Sequence, residues 1–169
     1  MLLVSAQLVA AGIACLVTAR GRRAGPPHHA AGWVACGLVA LGLGAALLFS
    51  LDLELIHILR SVGWRLGFYG ERRPLQELVI QSVVVFAALG TGVFLFWSRT
   101  WPGALRIALC ASIGLMVLAT VWGVSFHGTD QLLRRDVAGQ ASGAVLTQVG
   151  AVVLAGAALW ERRMRDRGQ

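Results

Sequence analysis

Two acid–histidine pairs carry the spacing that chemistry needs. Glu54 and His57 lie three residues apart, and so do His127 and Asp130. On a helix, residues three apart share a face, so each pair presents a carboxylate beside an imidazole. Together with Glu71 and Glu77, these residue types are those of a zinc or iron site. Glu-x-x-His on facing helices is a ligand arrangement of bundle di-iron centres, which need two such helices and two more carboxylates. Here only Glu54–His57 has that order. A divalent metal held by Glu54, His57, His127 and Asp130 is the one cofactor that these residues suggest. A salt-bridge network accounts for the same residues: Glu54 with Arg60 or Arg65, Asp130 with Arg134, Glu71 and Glu77 with Arg72 and Arg73. Charges beside apolar surroundings are costly unless paired, so pairing alone can explain them. Ser125 supplies the third type of a nucleophilic triad, but a serine two residues before its histidine points to another helix face. The chain has neither a Gly-x-Ser-x-Gly elbow nor a phosphate-cradling glycine loop.

The elements that must position these residues are set by composition. Of 169 residues, 57% are hydrophobic and 14% charged, against about 25% charged in a soluble domain. Mean hydropathy is +0.71. A solvated globular enzyme and a disordered chain are both excluded. A membrane-crossing helix needs roughly 20 mostly apolar residues, and five stretches qualify: 2–19, 31–51, 75–97, 104–126 and 138–160. The chain therefore reads as a single all-α transmembrane domain, 1–169, with an outer connection at 52–74 and a basic tail at 161–169. No basic residue precedes Arg20, and Gly12-Ile13-Ala14-Cys15 matches a lipoprotein cleavage box only faintly, so the first span is expected to stay.

The net charge of +7 comes from fifteen arginines without a lysine. They fall in short clusters between apolar runs, as topogenic charge does, and form no continuous basic face for nucleic acid. Arg20, Arg22, Arg23, Arg99, Arg106, Arg162, Arg163, Arg165 and Arg167 all follow or bracket the same side of the spans. Positive-inside bias makes that side cytoplasmic, with the N-terminus outside and the C-terminus inside a bacterial inner membrane. The six remaining arginines, in or beside the connections 52–74 and 127–137, are matched by Asp52, Glu54, Glu71, Glu77, Asp130 and Asp136, so the outer face is locally neutral. Arginine in place of lysine, with heavy use of Ala, Gly, Leu and Val, suggests a high-GC bacterium.

Packing in lipid is decided by small residues that let backbones approach. Gly37, Gly42 and Gly44 mark the second span, Ala88 and Gly92 the third, Gly139 and Gly143 the fifth, where Gln140, Thr147 and Gln148 lie near one face. Trp97, Trp101 and Trp160 fall at inner boundaries, Trp64 in the outer connection, and Trp33 and Trp122 near span ends, all suited to interfacial anchoring. Cys15, Cys36 and Cys110 lie in apolar runs without CxxC spacing and read as small hydrophobes. His28-His29, after Pro26-Pro27, reads as part of a polar inner turn.

From Asp52 to Gly70, Leu55, Leu59, Val62 and Leu66 keep helical spacing opposite Glu54, His57, Ser61 and Arg65, which predicts an amphipathic helix at the outer interface. The motifs Leu51-Asp52-Leu53-Glu54, Gly67-Phe68-Tyr69-Gly70-Glu71-Arg72-Arg73-Pro74-Leu75-Gln76 and Ser125-Phe126-His127-Gly128-Thr129-Asp130 resemble a family of small bacterial inner-membrane proteins with L-D-L-Q, G-W-Y-x-x-R-R-x-x-Q and S/G-F-H-H-x-D at the corresponding places. The likeness runs through roughly residues 35 to 160 and departs at Glu54 for Gln, Phe68 for Trp and Gly128 for the second His. It implies that Asp52, Tyr69, Arg72, Arg73, Gln76, His127 and Asp130 form one outer-face cluster, and it implies no reaction. Losing the second histidine weakens a metal site built on adjacent imidazoles.

With no cofactor motif and no charge in the middle of a span, the expected function is that of a small non-catalytic accessory or scaffold subunit among other membrane subunits. A respiratory or photosynthetic complex is the first host to consider. The alternative is a metal-binding protein or metal-dependent membrane enzyme at the outer, periplasmic face. A transporter lacks the intramembrane ionisable residues that mark an ion path.

Overall fold

The computed structural model describes residues 2–21, 26–49, 61, 72–124, 136–137 and 140–167. The fold is an all-α bundle with five helices long and apolar enough to cross a membrane. They are α1 (Leu2–Arg20), α2 (Pro27–Leu48), α3 (Arg72–Trp97), α4 (Gly103–Val124) and α5 (Ser142–Arg167). Two short strands, β1 (Asp136–Val137) and β2 (Gln140–Ala141), pair antiparallel just before α5. The 52–70 segment, expected as an amphipathic helix, lies outside the described residues except for Ser61, which is helical and exposed.

Helix ends differ from the hydropathy boundaries for local reasons. α2 begins at Pro27, four residues before the apolar run, because a proline at the first helical position has its φ preset and no N–H to waste. His28 and His29 are thereby in the first turn of a helix, not in a polar turn. A 3-10 turn at Ser98–Thr100 joins α3 to α4. Trp101 closes it, donating its backbone N–H to Ser98 O at 2.9 Å. Trp101 itself is extended (φ −80, ψ 151), as the residue before Pro102 is expected to be. α5 starts at Ser142, so Gln140 belongs to β2 and does not share a helical face with Thr147 and Gln148. At its other end α5 runs through the basic tail to Arg167.

α1 packs on α2 and α5, and α4 packs on α5, α2 and α3. Leu8, Trp33, Leu105 and Leu154, one from each of α1, α2, α4 and α5, are fully buried in one apolar core. Trp33 is therefore a core residue, 0% exposed, and not an interfacial anchor. The α1–α2 crossing is the tightest contact. A Cβ on Gly12 would stand 3.0 Å from Gly37 O and 2.7 Å from Leu41 Cγ; one on Gly37 would stand 3.1 Å from Gly12 O and 2.8 Å from Leu16 Cγ. Only glycine at both positions permits this approach. Gly44 packs over Ser5 and Leu8 of α1, and Gly150 of α5 receives Leu115 of α4.

α3 stands apart. Among the described elements it packs on α4 and the 3-10 turn, and none of its described residues from Ile80 to Trp97 is buried.

Candidate functional site

Asp52, Glu54, His57, Tyr69, His127 and Asp130 lie outside the described residues, and Arg72, Arg73 and Gln76 are described only as backbone in the first turns of α3. Among the described residues no three His, Cys, Asp or Glu side chains gather as metal ligands. Of the small residues expected at helix contacts, Gly37 and Gly44 of α2 pack against α1, and Gly143 is buried, its carbonyl accepting the Thr147 hydroxyl at 2.8 Å. Gly42 and Gly92 have nothing within 4 Å of a Cβ position, and Ala88 is exposed. These three point outward and add nothing to packing among the described residues. Gly139 is not described. Gly12, Gly21, Gly32 and Gly150 are contact glycines that residue type alone did not single out. Four-residue spacing to another small residue, the signal used elsewhere, is absent at Gly12, where Leu8 and Leu16 flank it.

What the structure does assemble is one basic, aromatic end of the bundle. The Arg165 Nη2 donates to Thr18 O at 3.4 Å, bringing the ends of α5 and α1 together. The His28 and His29 rings lie 5.3 Å and 5.7 Å from Trp101, bringing the start of α2 to the α3–α4 turn. Trp160 of α5 approaches Gly103 at the start of α4, with 3.6 Å to a Cβ position. All the arginines whose side chains are described, namely Arg20, Arg99, Arg106, Arg162, Arg163, Arg165 and Arg167, consequently belong to this end. Arg22 and Arg23, expected with them, are not described.

Two of these arginines do the same job. Arg165 caps α1 at Thr18, and the Arg106 Nη2 donates to Leu95 O at 3.3 Å near the end of α3. The last carbonyls of a helix have no partner within it and carry its negative partial charge, so a guanidinium there is favourable. Each arginine also keeps a buried Nε with no hydrogen-bond partner.

The aromatic part is compact. The His28 and His29 rings meet edge to face at 4.4 Å, and Phe94 packs edge-on to Trp101 at 5.7 Å. Adjacent helical residues diverge by about 100°, yet these rings touch because both lean toward Trp101. Trp97 is 84% and Trp160 48% exposed, the exposure expected of rings in a headgroup layer. Arg99 stacks over the Phe96 ring at 4.1 Å. This end can anchor a bundle in an interface and attract anions. Comparison of the chain with protein families, with curated proteins and with solved structures finds no match.

Proposed function

We propose that this protein is a small non-catalytic accessory subunit of a larger membrane complex in the bacterial inner membrane, and that α3 is the helix it offers to its host. The supporting observation is the uneven burial of the five spans. In α3 the apolar stretch is 0% buried, whereas the others range from 28% to 44%. In lipid, a helix gains little from hydrophobic sorting and is held by close van der Waals packing. α3 makes that packing along one side only, toward α4. Its free surface pairs small residues, Ala88 and Gly92, with large ones, Phe86, Leu89, Val93 and Phe96. That relief accepts knobs from another transmembrane helix. Positive-inside bias orients the arginine-rich end toward the cytoplasm, with the N-terminus outside.

The test is native electrophoresis of the full chain, extracted mildly from its own membranes, with co-migrating proteins identified. Co-migration with a larger assembly is expected. Ala88→Leu with Gly92→Leu should release the chain without changing its own unfolding midpoint, because neither position touches the rest of the bundle. His57→Ala and His127→Ala should leave co-migration intact. A chain that migrates alone with near-stoichiometric zinc, iron or copper, lost in those histidine variants, would replace this reading with a metal site at the outer face.

A further inference from the structure

Between α4 and α5, below the end of α3, runs an open groove of about 820 Å³, inside the range of about 300–1,000 Å³ typical of clefts that hold small molecules. Gly114, with nothing within 4 Å of its Cβ position, leaves room on one wall, and Leu118, Leu146, Val149 and Val153 make the groove apolar. Its one charged lining residue is Arg106, at the basic end. That guanidinium makes a single hydrogen bond, to Leu95 O, keeps a buried Nε unpartnered, and has no ion pair among the described residues. An arginine at a membrane border without a counter-charge is costly, and the described residues supply none. Planar guanidinium donors fit phosphate oxygens better than any other side chain does.

From these observations we infer that the α4–α5 groove is a site for one anionic phospholipid, its phosphate on Arg106 and an acyl chain laid along Gly114 toward Leu118. The dimensions agree. At about 1.5 Å per residue, Arg106 to Leu118 spans about 18 Å, slightly more than half of a hydrocarbon core about 30 Å thick. Headgroup and chain then fall in the same leaflet, with Trp97 and Trp160 marking the headgroup level. Basic pockets between helices on the cytoplasmic side recognise anionic headgroups by the same chemistry.

Native mass spectrometry of the full chain in mild nonionic detergent tests this, titrating phosphatidylglycerol or phosphatidylcholine with identical acyl chains. One phosphatidylglycerol should be retained, about fivefold or more in preference to phosphatidylcholine. Arg106→Gln should erase that preference. Arg20→Gln should not, since α1 lines no part of the groove. Gly114→Leu should lower retention of both lipids about tenfold, and because nothing lies within 4 Å of its Cβ position the fold accommodates the change. Equal retention of the two lipids, a preference that survives Arg106→Gln, or retention unaffected by Gly114→Leu would each overturn the assignment. So would a Gly114→Cys variant that cross-links in native membranes to another protein at this position.

Discussion

Replacing Gly37 by alanine adds one methyl group at the α1–α2 crossing and should separate the two helices there. The new Cβ would lie 2.8 Å and 2.9 Å from Leu16 Cγ and Cδ2 and 3.1 Å from Gly12 O. Leu16 can rotate away, but the carbonyl belongs to the backbone of α1 and moves only with the helix. Overpacking of this kind costs about 1–3 kcal/mol. The better helix propensity of alanine offsets up to about 1 kcal/mol of that. The net expectation is a loss of about 1–2 kcal/mol. Gly42, also on α2, has nothing within 4 Å of its Cβ position. There alanine gains the propensity without the clash, so Gly42→Ala should be neutral or stabilise by up to about 1 kcal/mol. Gly12→Ala should resemble Gly37→Ala, with a Cβ 3.0 Å from Gly37 O. The double variant should cost less than the sum, since one methyl already forces the helices apart and the two residues share one contact. Equilibrium unfolding in mixed micelles, followed by helical circular dichroism, measures all four variants on one scale. Equal effects at positions 37 and 42, or strict additivity of the 12 and 37 substitutions, would refute the argument that backbone approach holds α1 against α2.

Other substitutions test other parts of the bundle. Trp33→Ala removes a fully buried side chain and should cost about 3–5 kcal/mol, seen as loss of a monodisperse peak on size exclusion; Trp160→Ala, at 48% exposure, should keep that peak. Arg165→Gln removes the guanidinium that caps α1 at Thr18 and should cost about 0.3–1 kcal/mol, with faster hydrogen exchange confined to the last turn of α1. Cys15 and Cys36 are buried, whereas Cys110 lines the lipid groove and is partly exposed. A membrane-permeant maleimide should therefore label Cys110 alone in the folded protein, and added phosphatidylglycerol should slow that labelling.

The five spans were legible because hydropathy depends on composition over a window, which survives any arrangement of the helices. Partnership is not a property of one helix. Gly92 has Ala88 four residues before it and Gly12 has only leucines at that spacing, yet Gly12 meets a facing backbone and Gly92 meets nothing within 4 Å. Trp33 stands near the end of its apolar run, where belt tryptophans stand, but α2 is packed between α1 and α4, and Trp33 is fully buried in the core. Seven of the nine arginines assigned to one side of the spans do share one end. That two of them would cap the ends of other helices was not readable, because Arg106 and Arg165 reach across to α3 and α1. The acid–histidine residues singled out by spacing fall outside the described residues.

The clasp between Arg165 and Thr18 also has a history within each molecule's synthesis. These residues are 147 positions apart, and at about 5–20 residues per second the ribosome needs roughly 7–30 s to pass from one to the other. Throughout that interval the nascent chain can form its α1–α2 hairpin, which needs only neighbouring segments, while the other side of α1 waits for α5. Synthesis of α5 is thus what latches α1. A product released early, without α5, would leave α1 without its partners at Thr18, the Ala158 backbone and the Arg165 guanidinium, exposing a polar position that membrane proteases and insertion chaperones can read as the mark of an unfinished protein.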